Sequence, residues 1–415
     1  TWNLSGAWNA HEESWFEKRK PVLSNFTAKL SYSLTADRGP SSITNSRAVI
    51  KADNPWRPSA SDKESSLYIA WLANNDLTYE KKHELNFGLD AGFLNNRINF
   101  TFDIYTRRNY DLIGATNTMG IGGEPTKYGN VAKMKSNGVE LSLNTVNIKT
   151  KDFTWTTDFI YSHMHNEVTE LNTYNRLYDY ISGYGFTMPG YPQRSLFSIP
   201  FAGLNNEGLP TFYDPDGNIT VTGIDMQEYD PERLKFLKYE GPADPTDVGS
   251  LGNIFRYKNL TLNLFITYSF GNVVRLDPVF SSEYSDLSAT PKEFNNRWIK
   301  PGDEKFTNIP VIASRQQLNN LAYLSRAYQS YNYSTARVAK GDFIRMKEIS
   351  LAYEFPKTLT QPLHLSNLSL KLQATNLFLL YADKKLNGQD PEFFNAGGVA
   401  TPMPKQFTLT LKFGI

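Results

Sequence analysis

Apolar and polar residues near the end of the chain alternate one by one, which predicts a β-strand over about 406–415. One face of this strand carries Phe407, Leu409, Leu411, Phe413 and Ile415, and the other carries Gln406, Thr408, Thr410, Lys412 and Gly414. A strand of about ten residues with one apolar face is typical of a membrane-spanning β-strand. The apolar face is then expected to contact lipid, and the polar face to line a lumen.

The preceding strand shows the same alternation, so its side chains can be assigned to the same two faces. The expected lipid-facing residues of the two strands are Leu368, Leu370, Leu372, Leu409, Leu411 and Phe413. The expected lumen-facing residues are Ser369, Lys371, Thr408 and Thr410.

Alternation of this kind recurs along most of the chain. It begins at Trp2 to Trp8, and it is clear on both sides of a tight turn at Asn95-Asn96. The pattern predicts about thirteen strands. Short connections near 95, 150, 205 and 258 alternate with long ones near 115, 180, 230, 300 and 390. This regular difference in loop length is a feature of outer-membrane barrels, which have short turns at one end and long loops at the other.

Composition excludes several classes of protein. The 415 residues include no cysteine and carry a net charge of +1, so neither a disulfide scaffold nor a strongly basic nucleic-acid surface is expected. Mean hydropathy is −0.46, and the chain has no apolar run long enough for a helical membrane span. Composition alone favours a soluble all-β protein, but the alternating loop lengths favour the membrane barrel.

Three sequence blocks carry a family resemblance. Gly341–Pro356, Ala374–Phe378 and Gly388–Glu392 occur in this order before the final strand. They resemble blocks of SusC/RagA-type TonB-dependent outer-membrane transporters. Asn137–Leu141 and Gly249–Leu260 resemble further blocks of that family. The chain departs from the pattern at Ile415, where the family usually has an aromatic residue.

The resemblance implies an all-β fold, namely a transmembrane antiparallel β-barrel. Residues 1–415 would form the C-terminal part of a 22-stranded plugged barrel. The plug domain and about nine strands would then be absent from this chain and supplied by a companion chain or another segment. Strands at Trp2–Trp8 and Phe407–Phe413 would pair with that missing part.

The resemblance also implies a function and partners. It suggests TonB-dependent import of an oligosaccharide or another oligomeric nutrient across the outer membrane of a Gram-negative, Bacteroidetes-like cell. The expected partners are a SusD-like surface lipoprotein acting as a lid, TonB through the missing N-terminal part, and outer-membrane lipid. No cofactor, nucleic acid or enzymatic activity is expected. The alternatives are an oligopeptide importer of the same family, a soluble or surface-attached β-rich glycan-binding module, and a passive porin.

Aromatic residues of the long loops are the candidate ligand or partner site. Aromatic rings can stack on sugars or line peptide sites at little entropic cost, whereas the alternative is that these rings only pack the loops together. The candidates are Tyr178, Tyr180, Trp298, Tyr323, Tyr328 and Tyr331.

The sequence contains two weak candidates for a metal site. Asp214, Asp216 and Asn218 resemble a shortened calcium loop, but the bidentate glutamate of such loops is lacking, and a Pro-Asp-Gly turn explains the residues equally. His163 and His165 share one face of a strand without an obvious third ligand. No nucleophile, base or metal-binding motif of a known enzyme class is present.

Overall fold

The computed structural model describes residues 1–39, 47–53, 66–120, 126–173, 175–182, 185–279, 291–393 and 404–414. The strands are β1 Trp2–Asn9, β2 Leu23–Asp37, β3 Val49–Asp53, β4 Ser66–Trp71, β5 Glu80–Phe93, β6 Ile98–Asn117, β7 Thr126–Lys149, β8 Phe153–Leu171, β9 Ser195–Ser198, β10 Phe201–Leu204, β11 Pro210–Tyr213, β12 Ile219–Thr220, β13 Lys238–Pro242, β14 Asp247–Tyr257, β15 Leu260–Phe270, β16 Val273–Arg275, β17 Val338–Lys340, β18 Phe343–Glu354, β19 Asn367–Ala382 and β20 Gln406–Gly414.

Helices in the described residues are short. The α-helices are α1 Leu177–Ile181, α2 Pro231–Leu234, α3 Arg315–Asn320, α4 Leu324–Asn332 and α5 Lys357–Thr360. The 3-10 segments are Ala10–Glu12, Ser14–Arg19, Lys292–Asn296, Asp303–Lys305, Thr335–Arg337, Gln361–Leu363, Lys384–Leu386 and Pro391–Phe393. Within the described ranges, no helix is both long enough and apolar enough to cross a membrane.

The main element is an antiparallel sheet of eleven strands in the order β1-β2-β5-β6-β7-β8-β14-β15-β18-β19-β20. Neighbours in this sheet follow one another along the chain, apart from the short strands inserted between them. The prediction of about thirteen sheet strands was therefore slightly high. The additional strands are short ones that pair among themselves in the long connections.

Both ends of this sheet are open. Strand β1 pairs only with β2, and β20 pairs only with β19, among the residues that the structure describes. Each end therefore presents a row of backbone N–H and C=O groups without a strand partner in this part of the chain.

Connection lengths separate the two ends of the strands. Turns at 94–97, 150–152 and 258–259 lie at one end, together with the connections 10–22 and 355–366. The long connections between β2 and β5, β6 and β7, β8 and β14, β15 and β18, and β19 and β20 all start and finish at the other end, because successive antiparallel strands run in opposite directions. This confirms the predicted alternation at three of the four short turns. The exception is the turn near 205, which joins β10 to β11 in a separate three-stranded sheet.

Strand register sorts the side chains of the main sheet into an apolar and a polar face. Leu351, Leu372 and Leu409 lie directly opposite one another on β18, β19 and β20, so all three project from the same side of the sheet. Register also confirms the predicted grouping of the last two strands on this apolar face, which comprises Leu368, Leu370, Leu372, Leu409, Leu411 and Phe413. The grouping of Ser369, Lys371, Thr408 and Thr410 on the polar face is confirmed in the same way. Ile415, which was expected on the apolar face, lies outside the described residues.

Two long connections fold together into one unit, which we call the cap and which comprises the described residues of 172–246 and 271–342. Strands β9 and β13 pair within the first connection, and β16 pairs with β17 within the second. The backbone of Ile199 bridges to Ser334, and the Ile224 N–H donates to Ser330 Oγ at 3.0 Å, so the two connections are joined directly. The main core of the cap draws buried residues from both connections, including Phe197 and Phe212 from the first and Tyr331 from the second.

Substituting the two faces of β20 tests the membrane orientation. A charge on the lipid face at mid-membrane costs about 2–4 kcal/mol, whereas a charge in an aqueous lumen costs little. We expect Leu409→Arg to reduce assembled protein in the outer-membrane fraction strongly, and Thr408→Arg to reduce it slightly. Heat-modifiable mobility on gels measures the assembled fraction. Equal effects of the two substitutions would contradict the assignment of the faces.

Candidate functional site in the cap and the polar face

A buried cation organises the centre of the cap. Arg275 on β16 donates from Nη1 to Ser198 Oγ at 3.0 Å and to the Ser334 carbonyl at 3.1 Å. Its Nη2 donates to the Phe197 carbonyl at 2.5 Å. Burial of the guanidinium lowers the pKa of Arg275 to about 10, although the nearby Glu240 carboxylate opposes this shift. The side chain thus links β9 to the segment that precedes β17, and its role is to hold the two halves of the cap together.

A second buried arginine lies close to the first. Arg337 is 2% exposed, its Nη2 pairs with Glu293 at 2.6 Å, and it also donates to the Asp277 carbonyl. The adjacent Tyr331 is also buried, and this burial raises the pKa of its phenol to about 12. Carbonyl groups, a hydroxyl and a carboxylate of the cap thus pair the Nη groups of both arginines, whereas Nε of each is buried without a hydrogen-bond partner.

The structure places four of the six candidate aromatic residues inside the cap rather than on its surface. Tyr331 is 1%, Tyr328 2%, Trp298 8% and Tyr180 9% exposed. The Tyr328 hydroxyl donates to the Val311 carbonyl, and Trp298 Nε1 donates to Glu304 at 3.1 Å. A ligand could stack on these four rings only if the cap opened. Loop packing, which was the alternative interpretation, describes their environment.

The other two candidate aromatics are partly exposed. Tyr178 packs edge-on against Tyr333, with ring centroids 5.8 Å apart. Tyr323 precedes α4 and lines a shallow surface depression together with Asn320 and Arg326. Of the six candidates, Tyr323 is therefore the residue best placed to meet a molecule outside the cap.

A signal in the sequence could have identified the buried tyrosines. Leu324, Ala327, Tyr328 and Tyr331 follow the spacing i, i+3, i+4, i+7, which is the apolar stripe of an amphipathic helix. They form the buried face of α4. No comparable pattern marks Arg275 or Arg337, because their partners come from distant parts of the chain.

The candidate calcium loop is a hairpin turn in this structure. Asp214 Oδ1 accepts from the backbone N–H of Asp216 at 3.0 Å and of Asn218 at 2.8 Å. Gly217 adopts a positive φ of 82°, which suits the turn between β11 and β12. Among the described residues, no group of three or more His, Cys, Asp or Glu side chains could hold a metal ion. The Pro-Asp-Gly turn therefore accounts for these residues.

The two candidate histidines lie on the apolar face near the long-loop end of β8. His163 Nδ1 lies 2.9 Å from Asp247 Oδ1, and the same oxygen accepts from the Tyr161 hydroxyl at 2.7 Å. Both His163 and His165 border a groove in that face. They act as polar residues at the edge of an apolar surface.

An ion-pair cluster joins two of the sequence blocks that carried the resemblance. Arg345 on β18 is 4% exposed and projects from the polar face. Its Nη2 donates to Asp390, and its Nε lies 3.1 Å from Glu392 Oε2. Both acidic residues belong to the connection between β19 and β20. We call this cluster, Arg345 with Asp390 and Glu392, the latch.

The third block forms a β-bulge beside the latch. On β19, Asn376 and Leu377 together lie opposite the single residue Lys347 of β18. Asn376 takes a left-handed φ of 53°, a conformation that asparagine tolerates better than most residues. Bulges re-aim the side chains that flank them. The bulge thus sets the local register next to Arg345.

The start of the connection that follows β19 is anchored at further points. Asp383 Oδ2 accepts from the Lys340 N–H at 2.9 Å, and Gln389 Nε2 donates to Asp277 Oδ2 at 3.2 Å. Leu386 is 1% exposed and packs in a small core with Val274 of β16. The latch and these contacts fasten 383–393 to both the sheet and the cap.

Polar side chains form networks along the rest of the polar face. Glu84 accepts from Arg107 Nε at 3.0 Å and pairs with Lys82 at 2.9 Å. Near β20, Glu348 accepts from Gln373 Nε2 at 3.0 Å and lies 3.7 Å from the Lys371 ammonium. Such networks suit a water-filled interior and would be costly in contact with lipid.

Comparisons with known proteins decide among the classes considered above. No family model matches the chain. TonB-dependent receptor SusC of Bacteroides thetaiotaomicron is 27% identical over 427 residues, covering 99% of this chain and 39% of the relative. TonB-dependent receptor P3 of Formosa agariphila is 25% identical over 409 residues, covering 93% of this chain and 37% of the relative. The chain thus spans about two fifths of the length of these curated relatives.

Solved structures show the same fold. A structure of the RagAB peptide transporter superposes with a TM-score of 0.77 at 23% identity, covering 99% of this chain and 42% of the matched chain. A "closed-closed" state of the RagAB peptide importer gives a TM-score of 0.74. Over almost its whole length, the chain is similar to SusC/RagA-type TonB-dependent receptors.

These similarities explain the two faces of the sheet. The eleven-stranded sheet is part of a transmembrane β-barrel in the outer membrane. Its apolar face is the lipid side, and its polar face is the lumen side. The alternative of a soluble β-rich glycan-binding module was therefore wrong. The apparent hydrophilicity of the chain reflects strands that alternate rather than a soluble protein.

Breaking the latch tests its contribution to the SusC/RagA-type barrel. Removal of one member of a buried ion pair leaves the other charge unpaired and costs about 3–5 kcal/mol. We expect Arg345→Ala to lower the thermal unfolding midpoint and to speed proteolysis within 383–405. The matched control is Arg256→Ala, because Arg256 is an exposed arginine on β14. Wild-type proteolysis of the Arg345 variant would show that the latch holds nothing in place.

Proposed function

We propose that residues 1–415 form the C-terminal part of a plugged barrel that imports an oligomeric nutrient with energy delivered by TonB. The observation that carries this proposal is the eleven-stranded sheet with a polar lumen face and two open edges. Unpaired backbone groups cost several kcal/mol each in hydrocarbon, so β1 and β20 require strand partners. The SusC and P3 relatives, which are more than twice as long as the matched region, support a larger whole.

The missing strands and the plug belong to the same proposal. Large plugged outer-membrane transporters have about 22 strands. Eleven strands in the described residues leave about eleven to be supplied, rather than the nine first expected. We propose that another segment or a companion chain supplies them and also carries the plug and the region that engages TonB. The plug would then lie against the lumen face that holds Glu84, Arg107 and Glu348.

A SusD-like surface lipoprotein is the proposed lid on the cap. Named relatives and the two-component RagAB assembly support a partner of this kind. The cap also exposes large apolar side chains, with Phe306 90% and Ile299 67% exposed. Exposed apolar side chains on an otherwise well-packed unit often mark protein contacts. We therefore assign the lid surface to Phe306, Ile299 and Tyr323, in place of the buried aromatic residues.

The proposed cargo is an oligosaccharide or an oligopeptide. Aromatic residues in the loops suit either cargo, so the sequence favours the oligosaccharide only slightly, and four of the six candidate rings pack inside the cap. The fold likeness to a peptide transporter favours the oligopeptide as the second candidate. Both cargoes imply transport rather than chemical conversion, so no enzymatic role is proposed.

Refolding experiments test the incomplete barrel. We expect residues 1–415 alone to give no heat-modifiable, protease-resistant barrel in lipid vesicles, because both sheet edges remain unpaired. The full-length protein serves as the positive control under the same conditions. A closed, stable barrel formed by the 415 residues alone would overturn the proposal.

Growth and pull-down assays test the cargo and the lid. Deletion of the gene is expected to abolish growth on either a defined oligosaccharide or a defined oligopeptide as sole source, which identifies the cargo. Phe306→Ala and Tyr323→Ala are expected to weaken capture of the lid lipoprotein while leaving the cap folded.

Tyr331→Ala is the contrasting variant for this assay. Truncation of a buried aromatic ring costs about 3–5 kcal/mol, so this variant should destabilise the cap and raise its protease sensitivity. Normal lid capture and normal uptake by both surface variants would refute the assigned lid surface.

A further inference from the structure

The lipid side of the sheet contains a long groove. One part, of about 630 Å³, lies over β1, β2 and β5, and a second part, of about 400 Å³, continues over β5 to β8. Leu30, Leu85 and Phe87 line both parts, so the two are continuous. Most of the side chains that reach the groove are apolar.

A glycine keeps the groove open at its β1 side. Gly6 lies opposite Leu30 on the apolar face, and a Cβ added at Gly6 would meet no heavy atom within 4 Å. The space above Gly6 is therefore empty in this chain rather than filled by a neighbouring side chain. An open apolar depression of this kind has room for part of an acyl chain.

Aromatic residues mark the long-loop end of the groove as the membrane interface. The ring of Tyr32 stacks on His83 at 5.6 Å, and Trp2 packs edge-on against Tyr32 at 5.2 Å. The Tyr32 hydroxyl lies 3.1 Å from His83 Nδ1. Aromatic rings with a polar end concentrate where acyl chains give way to headgroups.

Arg108, a cation without an ion-pair partner among the described residues, lies at the level of these aromatic residues, directly opposite His83. Arg108 follows Thr106, a groove residue, by two positions on β6 and is therefore the next side chain on this face. Lys135 of β7 lies directly opposite Arg108. Glu167 neutralises Lys135 at 2.9 Å, whereas the exposed Arg108 side chain has no ion-pair partner among the described residues. Of these two cations, Arg108 is thus the one whose charge is not balanced by a carboxylate among the described residues, and a bound anion would balance it.

We propose that this groove binds one anionic, phosphate-bearing lipid of the leaflet on the long-loop side. An acyl chain lies along Leu30, Leu85 and Phe87, and the phosphate contacts Arg108. Charge complementarity selects this occupant, because a guanidinium pairs well with phosphate and stands at the headgroup level above an apolar channel. The proposal rests on the membrane barrel and is independent of which nutrient is imported.

Native mass spectrometry of the full-length protein tests the site. The protein is released from nanodiscs that contain equal amounts of phosphatidylglycerol and phosphatidylethanolamine, and the retained lipid is identified. Wild type is expected to retain one phosphatidylglycerol. Arg108→Gln removes the headgroup contact, and one interfacial cation corresponds to about a fivefold change in affinity for an anionic lipid. Gly6→Leu fills the groove and should reduce retention of either lipid.

Controls separate binding from misfolding. Arg256→Gln removes an exposed arginine from β14 outside the groove and should retain phosphatidylglycerol as wild type does. Heat-modifiable mobility must show an assembled barrel for every variant that is compared. Equal retention by wild type and Arg108→Gln would overturn the proposal, as would preferential retention of phosphatidylethanolamine. A protein dimer with no bound lipid would assign the groove to a second copy instead.

Discussion

Backbone hydrogen bonding in hydrocarbon is the constraint on which this chain depends. Every N–H and C=O in the membrane must be paired within the protein, and an antiparallel ladder between sequential strands achieves this for β2 to β19. The same constraint explains the two open edges, which can only be stable against further strands. Long polar connections are tolerated because all of them lie at one end of the sheet, outside the membrane.

The cap shows how long loops become a folded unit. Connections of this length are uncommon in folded proteins unless they acquire structure of their own, and here they share a core that contains Phe197, Phe212 and Tyr331. Buried arginines add specificity, because Arg275 reaches carbonyl groups on two separate segments. The many aromatic residues of these loops therefore pack the interior of the cap. A well-packed cap can present a defined surface to a partner.

The latch connects the barrel to this cap. Arg345 projects from a membrane strand, while its partners Asp390 and Glu392 lie in a connection that also contacts the cap through Gln389. A movement of the cap and a movement of the lumen wall are thus mechanically related through one short segment. Three sequence blocks that are separate along the chain meet at this point. The first supplies Arg345, the second forms the bulge beside it, and the third supplies Asp390 and Glu392.

Local sequence determined the strands and their two faces. Successive side chains point to opposite faces in every β-strand, so the alternation of apolar and polar residues can be assigned directly to faces. Leu409 and Thr408 could be assigned to opposite faces without coordinates, and the membrane fold was predicted from that pattern, the loop lengths and the resemblance of the sequence blocks to a known family. Tertiary structure alone decided the candidate site. Helical spacing could place Tyr331 on the buried face of one helix, but it could not show what covers that face. The pairing of Arg345 with Asp390 joins residues far apart in the chain, so no local pattern could reveal it. Whether a side chain is buried depends on the residues that pack around it. In the cap, those residues come from two connections that are far apart in the chain.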